Sequence, residues 1–99
     1  MARFIFNNKV YDTSKMKLIG KVQKWYEYRS YLLQQMYGKG VGREYDCDLY
    51  CSEKGNWLIT HEADGKVYGE AINEAEAKTL LMRCDYTAYT ELYGELEEA

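Results

Sequence analysis

The chain of 99 residues contains no proline, one histidine and three cysteines, and these shortages exclude several classes of protein. With no proline-rich linker, repeat or low-complexity segment, residues 1–99 are expected to form one domain. No apolar run approaches the roughly 18 residues of a membrane span, and the N-terminus lacks the apolar core of a signal peptide. An odd number of cysteines without such a signal indicates reduced thiols, so we expect a cytoplasmic protein without a membrane partner.

Charge is unevenly distributed along the chain, although its total is only −3. Residues 1–43 carry nine Lys/Arg and two acidic residues, a net of +7, whereas residues 44–99 carry four and fourteen, a net of −10. The halves either interleave and neutralise each other in the folded domain or form opposed basic and acidic faces that steer a charged partner. The total excludes a uniformly basic nucleic-acid-binding protein.

The first 20 residues predict a hairpin followed by a short helix. Apolar runs flank Asn7–Asn8, and asparagine tolerates the positive φ of a two-residue type I′ turn. Residues 12–14 offer N-cap oxygens to a short helix that begins near Lys15. Apolar side chains within residues 16–19 would form its buried side, and Gly20 would end it.

Residues 20–37 fit both a helix, by the spacing of their apolar side chains, and a strand, by their aromatic and β-branched composition. We favour a strand over residues 21–28 and a helix over residues 30–37. The three glycines of residues 38–42 then predict a loop.

Residues 45–51, 57–61 and 67–72 predict three strands of a meander, joined by turn-rich segments. Alternation in the first of these strands places Tyr45 and its alternate neighbours on one face and acidic side chains on the other.

Two helices are predicted to follow. Asn73 can cap the first, whose buried stripe contains Ala77, Leu80, Leu81 and Cys84. In the second, Tyr86, Tyr89, Leu92 and Tyr93 share a face, Gly94 ends the helix, and residues 95–99 are a frayed acidic tail. The predicted fold is therefore α+β: a small antiparallel sheet, made of an N-terminal hairpin and a central meander, with one or two C-terminal helices packed on it.

Catalytic and metal-binding residues have little support in the sequence. Cys47, Cys51 and His61 are ligand types, but a zinc site normally shows two clustered ligand pairs. We interpret the cysteines as small buried side chains and His61 as a surface strand residue. The glycines of residues 38–42 lack the flanking strand and helix of a phosphate-binding loop. We predict a protein that is not an enzyme and that holds no metal and no cofactor.

Two sets of side chains are candidates for binding. Acidic residues and tyrosines of the second half suit a protein interface, because tyrosine is enriched in interface hot spots. This set is Asp46, Asp48, Tyr50, Glu53, Glu91, Tyr93 and Glu95. The alternative set interleaves cations with aromatic residues, as in proteins that bind single-stranded nucleic acid. It is Lys15, Lys17, Lys21, Lys24 and Arg29. Its aromatic neighbours could equally face the core.

Four segments of the chain each carry a different sequence motif: residues 4–13, 49–58, 72–78 and 89–94. They read F-x-G-K-x-Y-D-T, with Asn8 in place of the glycine, L-Y-x4-G-x-aromatic-L, a helix with Glu-Ala, and Y-x2-hydrophobic-aromatic-G. This pattern resembles small phage- and plasmid-encoded proteins of Gram-positive mobile elements, some of which look like anti-CRISPR proteins.

The resemblance implies a non-enzymatic inhibitor of a host defence system that acts in the cytoplasm of a bacterial host. Its expected partner is a host CRISPR effector of the Cas9 type or the complex of that effector with guide RNA. A nucleic-acid-binding accessory protein of the same element is the alternative function, and an interaction module without a defence role is a third. The sequence leaves monomer and homodimer open.

Overall fold

Two antiparallel sheets and two C-terminal helices make up the fold in the computed structural model, which describes residues 2–27, 35–38 and 40–99. The predicted α+β class is confirmed. In chain order, the elements are β1 (Arg3–Phe6), β2 (Lys9–Asp12), a 3₁₀ turn (Thr13–Lys15), β3 (Lys17–Glu27), β4 (Gly42–Cys51), β5 (Trp57–Ala63), β6 (Lys66–Ile72), α1 (Glu74–Cys84) and α2 (Tyr86–Tyr93).

The N-terminal hairpin forms as predicted. Asn7 and Asn8 have φ angles of 51° and 62°, and β1 pairs with β2 across them. The Phe4 ring lies against Gly69 of β6, so the hairpin packs on one face of the second sheet, whose strand order is β3-β4-β5-β6. The hairpin is thus a separate layer rather than a continuation of the meander.

The short helix predicted from Lys15 is wrong. Asp12 does act as a cap, accepting a hydrogen bond from the Ser14 amide, but it caps only the single 3₁₀ turn. Strand β3 begins at Lys17 and runs through Gly20, which was predicted to end the helix. Pairing with β4 along the whole of β3 outweighs the local cap signal.

The strand predicted over residues 21–28 is confirmed as far as Glu27. Residues 35–37 are helical, as expected, while residues 28–34 lie outside the described residues. The predicted loop over residues 38–42 is shorter than expected, because Gly42 already belongs to β4. Lys39 is also outside the described residues.

The helices cover the face of the larger sheet opposite the hairpin. The stripe predicted on α1 is confirmed: Ala77, Leu80 and Leu81 are buried, and Cys84 packs beside them. In α2 the tyrosines share a face as predicted, with ring centres 5.9 Å apart for Tyr86 and Tyr89 and 5.2 Å apart for Tyr89 and Tyr93. Only part of this face is buried, since Tyr89 is buried together with Ala88 whereas Tyr86 and Leu92 are exposed. The helix is rotated so that the small Ala88 approaches Gly20 of β3. No helix among the described residues is both long and apolar enough to cross a bilayer.

Gly20 is required by the space between β3 and the two helices, and we expect Gly20→Ala to lower the free energy of unfolding by about 1–3 kcal/mol. A Cβ atom here would lie 2.9 Å from Asp85 Oδ2 and 3.1 Å from Leu81 Cδ2. Asp85 caps α2 through its other oxygen, which accepts from the Ala88 amide, so its displacement also weakens that helix. Urea denaturation measures the change. The exposed Gln23→Ala is the control in the same strand, and an equal change in both variants would contradict the explanation.

Candidate protein-binding site

Strand β4 presents acidic side chains on the face that points away from the helices. Cys47 and Leu49 are buried against the helices. Because side chains alternate along a strand, Asp46 and Asp48 lie on the opposite face, together with Tyr50. The alternation predicted from the sequence is therefore present in the structure.

The base of the hairpin and the outer face of β4 enclose an open groove of about 500 Å³. We call it the acidic groove. Its lining residues are Ala2, Thr13, Arg43, Tyr45, Asp46, Asp48, Tyr50, Thr60, His61, Glu62 and Val67. Three of them carry carboxylates, Asp46, Asp48 and Glu62, and the Arg43 guanidinium lies 4.7 Å from the centre of the Tyr45 ring.

Side chains of the neighbouring strand β3 hold the two aspartates in place. Lys21 Nζ lies 2.8 Å from Asp48 Oδ1, and Gln23 Nε2 donates to Asp46 Oδ1 at 3.1 Å. The hydrogen bond to Asp48 raises the pKa of Lys21. Partial burial, and after it the charge of Asp48, raises the pKa of Tyr50. Like other tyrosines, Tyr50 is protonated at neutral pH and its hydroxyl can donate a hydrogen bond.

An exposed tryptophan stands at the end of this face. Trp25 of β3 pairs with Glu44 of β4, two residues before Asp46, and is 52% exposed. Val67 of β6, on the other side of the groove, is also exposed. Exposed aromatic and apolar side chains suit the centre of a protein interface, and the neighbouring carboxylates suit its polar rim.

The other predicted acidic residues lie away from this groove. Glu53 is in the β4–β5 loop, and Glu91, Tyr93 and Glu95 lie on or just after α2, on the opposite side of the sheet. The Tyr93 hydroxyl donates to Glu74 at 3.0 Å. Burial and this carboxylate raise the pKa of Tyr93 to about 12. Of the seven residues predicted to bind protein, the structure brings together Asp46, Asp48 and Tyr50.

Sequence reasoning missed three residues of this surface, Glu44, Glu62 and Trp25. Glu44 is signalled by the same alternation as Asp46 and Asp48. Glu62 is on β5, and only the pairing of β4 with β5 brings it beside Asp46 and Asp48. The ambiguity of residues 20–37 between helix and strand concealed the position of Trp25.

The alternative, basic set is dispersed by the fold. Lys21 is paired with Asp48, as described above. Lys24 lies on the helix side, where its Nζ is 2.6 Å from Glu76 and 3.0 Å from Glu70. Burial lowers the pKa of Lys24, but the hydrogen bonds to Glu76 and Glu70, together with the charges of these carboxylates, outweigh it and raise the pKa. Lys15 and Lys17 lie near the other end of β4, and Arg29 is outside the described residues.

His61 was predicted to be a surface residue, and this is wrong, since it is only 5% exposed. It pairs with Cys47 across β4 and β5, so its side chain belongs to the helix side of the sheet, although the residue also borders the acidic groove. Its ring stacks on Tyr26 at 4.5 Å and on Tyr68 at 5.5 Å between ring centres, with Tyr45 at 4.8 Å. Three tyrosines therefore replace water around the imidazole.

Cys47 and Cys51 are held as protonated thiols. Burial raises the pKa of Cys47 to about 11 and also raises the pKa of Cys51. A thiol that resists ionisation is a poor nucleophile and a poor metal ligand. Across residues 2–27, 35–38 and 40–99, no group of three or more His, Cys, Asp or Glu is arranged to hold a metal ion.

Comparison of the chain with protein-family models, with curated proteins and with solved structures gives no match in any of the three. The fold and the geometry of the acidic groove are therefore the structural basis for the function proposed below.

Proposed function

We propose that this protein is a non-enzymatic inhibitor, encoded by a mobile element, that binds a CRISPR effector of the Cas9 type in the cytoplasm of a bacterial host. The observation that carries the proposal is the acidic groove, in which Asp46, Asp48 and Glu62 stand side by side next to Tyr50. An effector that holds guide RNA and target DNA must present a positively charged channel. The acidic groove supplies the complementary charge.

The rigidity of the sheet favours such competition. Alternate residues of a strand lie about 6.6 Å apart and neighbouring strands about 4.8 Å apart, so the three carboxylates have fixed spacings. Gln23 and Lys21 restrict the rotamers of the two aspartates further. A charged surface fixed before binding loses less conformational entropy when it docks than flexible side chains would.

Charged and aromatic side chains in and beside the acidic groove have different roles in binding. Exposed carboxylates act mainly on the association rate and on the choice of partner. The aromatic side chains Tyr50 and Trp25 provide the area that can be desolvated, as hot-spot residues do.

The test is a titration of purified inhibitor into a Cas9-type effector loaded with guide RNA, with DNA cleavage as the readout. We expect stoichiometric inhibition. The double reversal Asp46→Lys/Asp48→Lys should raise the concentration for half-inhibition by at least about tenfold, equivalent to 1.4 kcal/mol. Glu91→Lys/Glu95→Lys makes the same change in net charge on the opposite side of the sheet and should have little effect.

Because the reversed residues stand beside Lys21, the isosteric Asp46→Asn/Asp48→Asn variant is measured as well. It removes the charge without adding repulsion and should weaken inhibition less than the reversal, with an unchanged circular dichroism spectrum. Inhibition at substoichiometric dose would indicate an enzyme instead. Loss of inhibition only on reversal of the lysines at positions 15, 17, 21 and 24 would favour the nucleic-acid-binding alternative.

A further inference from the structure

Three lysines lie close together on a surface that is separate from the acidic groove. Lys9 begins β2, Lys15 ends the 3₁₀ turn, and Lys54 lies in the β4–β5 loop. The hairpin and this loop border an open groove of about 640 Å³, which we call the lysine groove. Distant parts of the sequence therefore contribute the three cations to one surface.

The groove is built on an ordered loop. The Ser52 amide donates to the Asn56 carbonyl and the Gly55 amide to the Ser52 carbonyl, at 2.9 and 3.0 Å. Lys9 Nζ reaches across from the hairpin to Asn56 Oδ1 at 3.3 Å. Both walls of the groove are thus tied together before any ligand arrives.

The charge of the groove is not neutralised internally. Of the ion pairs in the described part of the chain, none includes Lys9, Lys15 or Lys54, in contrast to Lys21 and Lys24. Glu53 is the one carboxylate that lines the groove. Three exposed ammonium groups against one carboxylate leave an excess of positive charge in a protein whose net charge is negative.

We propose that the lysine groove binds the phosphate backbone of a nucleic-acid strand. Besides the lysines, its lining is small and polar, with Asn8, Ser52 and Asn56. Hydroxyl, amide and ammonium groups are the usual partners of phosphate oxygens. Val10 is the apolar lining residue, and the aromatic anchors typical of a protein hot spot are not among the residues that line the groove. An acidic protein is therefore the less suitable partner.

This binding is independent of the proposed inhibition, because the two grooves share no lining residue. It is expected to be weak and sequence-independent. Three phosphate contacts to a single strand predict a slope of about −2 for the logarithm of the association constant against the logarithm of salt concentration. Affinity should then fall about twentyfold between 50 and 200 mM salt.

The experiment measures fluorescence anisotropy of a labelled single-stranded RNA of mixed sequence with the full-length protein and no effector. The triple variant Lys9→Gln/Lys15→Gln/Lys54→Gln should weaken binding by at least about tenfold and flatten the salt slope towards zero. The matched control Lys66→Gln/Lys78→Gln/Arg83→Gln removes the same charge at positions that line neither groove and should change affinity less than about threefold.

Three results would overturn the proposal. Equal loss in both triple variants would show attraction by net charge alone. Tighter binding of a labelled polyglutamate peptide than of RNA would assign the groove to an acidic protein. Absence of RNA binding at 50 mM salt, or binding that does not weaken between 50 and 200 mM salt, would refute the proposal directly. Because the assay contains no effector, failure here leaves the inhibition assay unaffected, and the reverse also holds.

Discussion

Leu81→Ala is expected to lower the free energy of unfolding by about 3–5 kcal/mol, the largest effect of any substitution considered for this protein. Leu81 lies in the C-terminal half of α1, is fully buried, and belongs to the core cluster between the helices and the sheet that contains Leu49 and Ile59. Truncation removes buried methyl groups and leaves a cavity that the paired strands cannot collapse to fill.

A domain of this size has a total stability of about 5–15 kcal/mol, so the loss should move the thermal midpoint by more than about 10 °C. Leu96→Ala is the matched control, because Leu96 is 49% exposed in the C-terminal tail and should contribute within about 0.5 kcal/mol. Urea denaturation with both variants provides the comparison. Similarly small losses in the free energy of unfolding for both variants would show that Leu81 is not part of the core.

Local signals in the sequence predicted some elements of the fold well. The Asn7–Asn8 turn and the Asn73 cap with its buried stripe are each encoded within about a dozen consecutive residues, and both form as predicted. Strand β3 is different, because residues 12–15 offer a helix cap while pairing with β4 extends the strand back to Lys17. A contact made with residues more than 20 positions away is not visible in a local pattern.

The sequence predicted the residues that one strand contributes to the acidic groove, but not those that other strands contribute. Alternation identified Asp46, Asp48 and Tyr50 as one face. Glu62 required the register of β5 on β4, and Glu91 could not be assigned to the opposite side of the sheet until the packing of α2 was known. His61 illustrates the same limit, since its burial depends on tyrosines from three different strands.

The sequence left two interpretations of its uneven charge, neutralisation between the halves and separate charged surfaces, and the structure shows some of each. Lys21 and Lys24 come from the basic half and neutralise carboxylates of the acidic half across the sheet. Charged residues that form no ion pair within the described part of the chain, among them Asp46 and Glu62 of the acidic groove and Lys9, Lys15 and Lys54 of the lysine groove, lie on separate surfaces. Within the acidic groove Asp48 keeps its ion pair with Lys21, so Asp46 and Glu62 carry the charge that is free to attract a partner.

The hairpin that forms one wall of each groove is held on the sheet by the contact of Phe4 with Gly69, and Gly69→Val should disrupt it. A Cβ atom at Gly69 would lie 2.8 Å from two carbons of the Phe4 ring, which is too close for either side chain to remain in place. We expect a loss of about 1–3 kcal/mol in the free energy of unfolding, measured by urea denaturation.

The double variant Gly69→Val/Phe4→Ala tests whether that contact is the cause. Removing the ring gives the valine space, so the double variant should be more stable than the sum of the two single losses predicts, by at least about 1 kcal/mol. Strict additivity would show that Phe4 does not rest on Gly69. Since Ala2 and Thr13 at the hairpin base line the acidic groove, Gly69→Val alone should also weaken inhibition of the effector at temperatures where the protein remains folded.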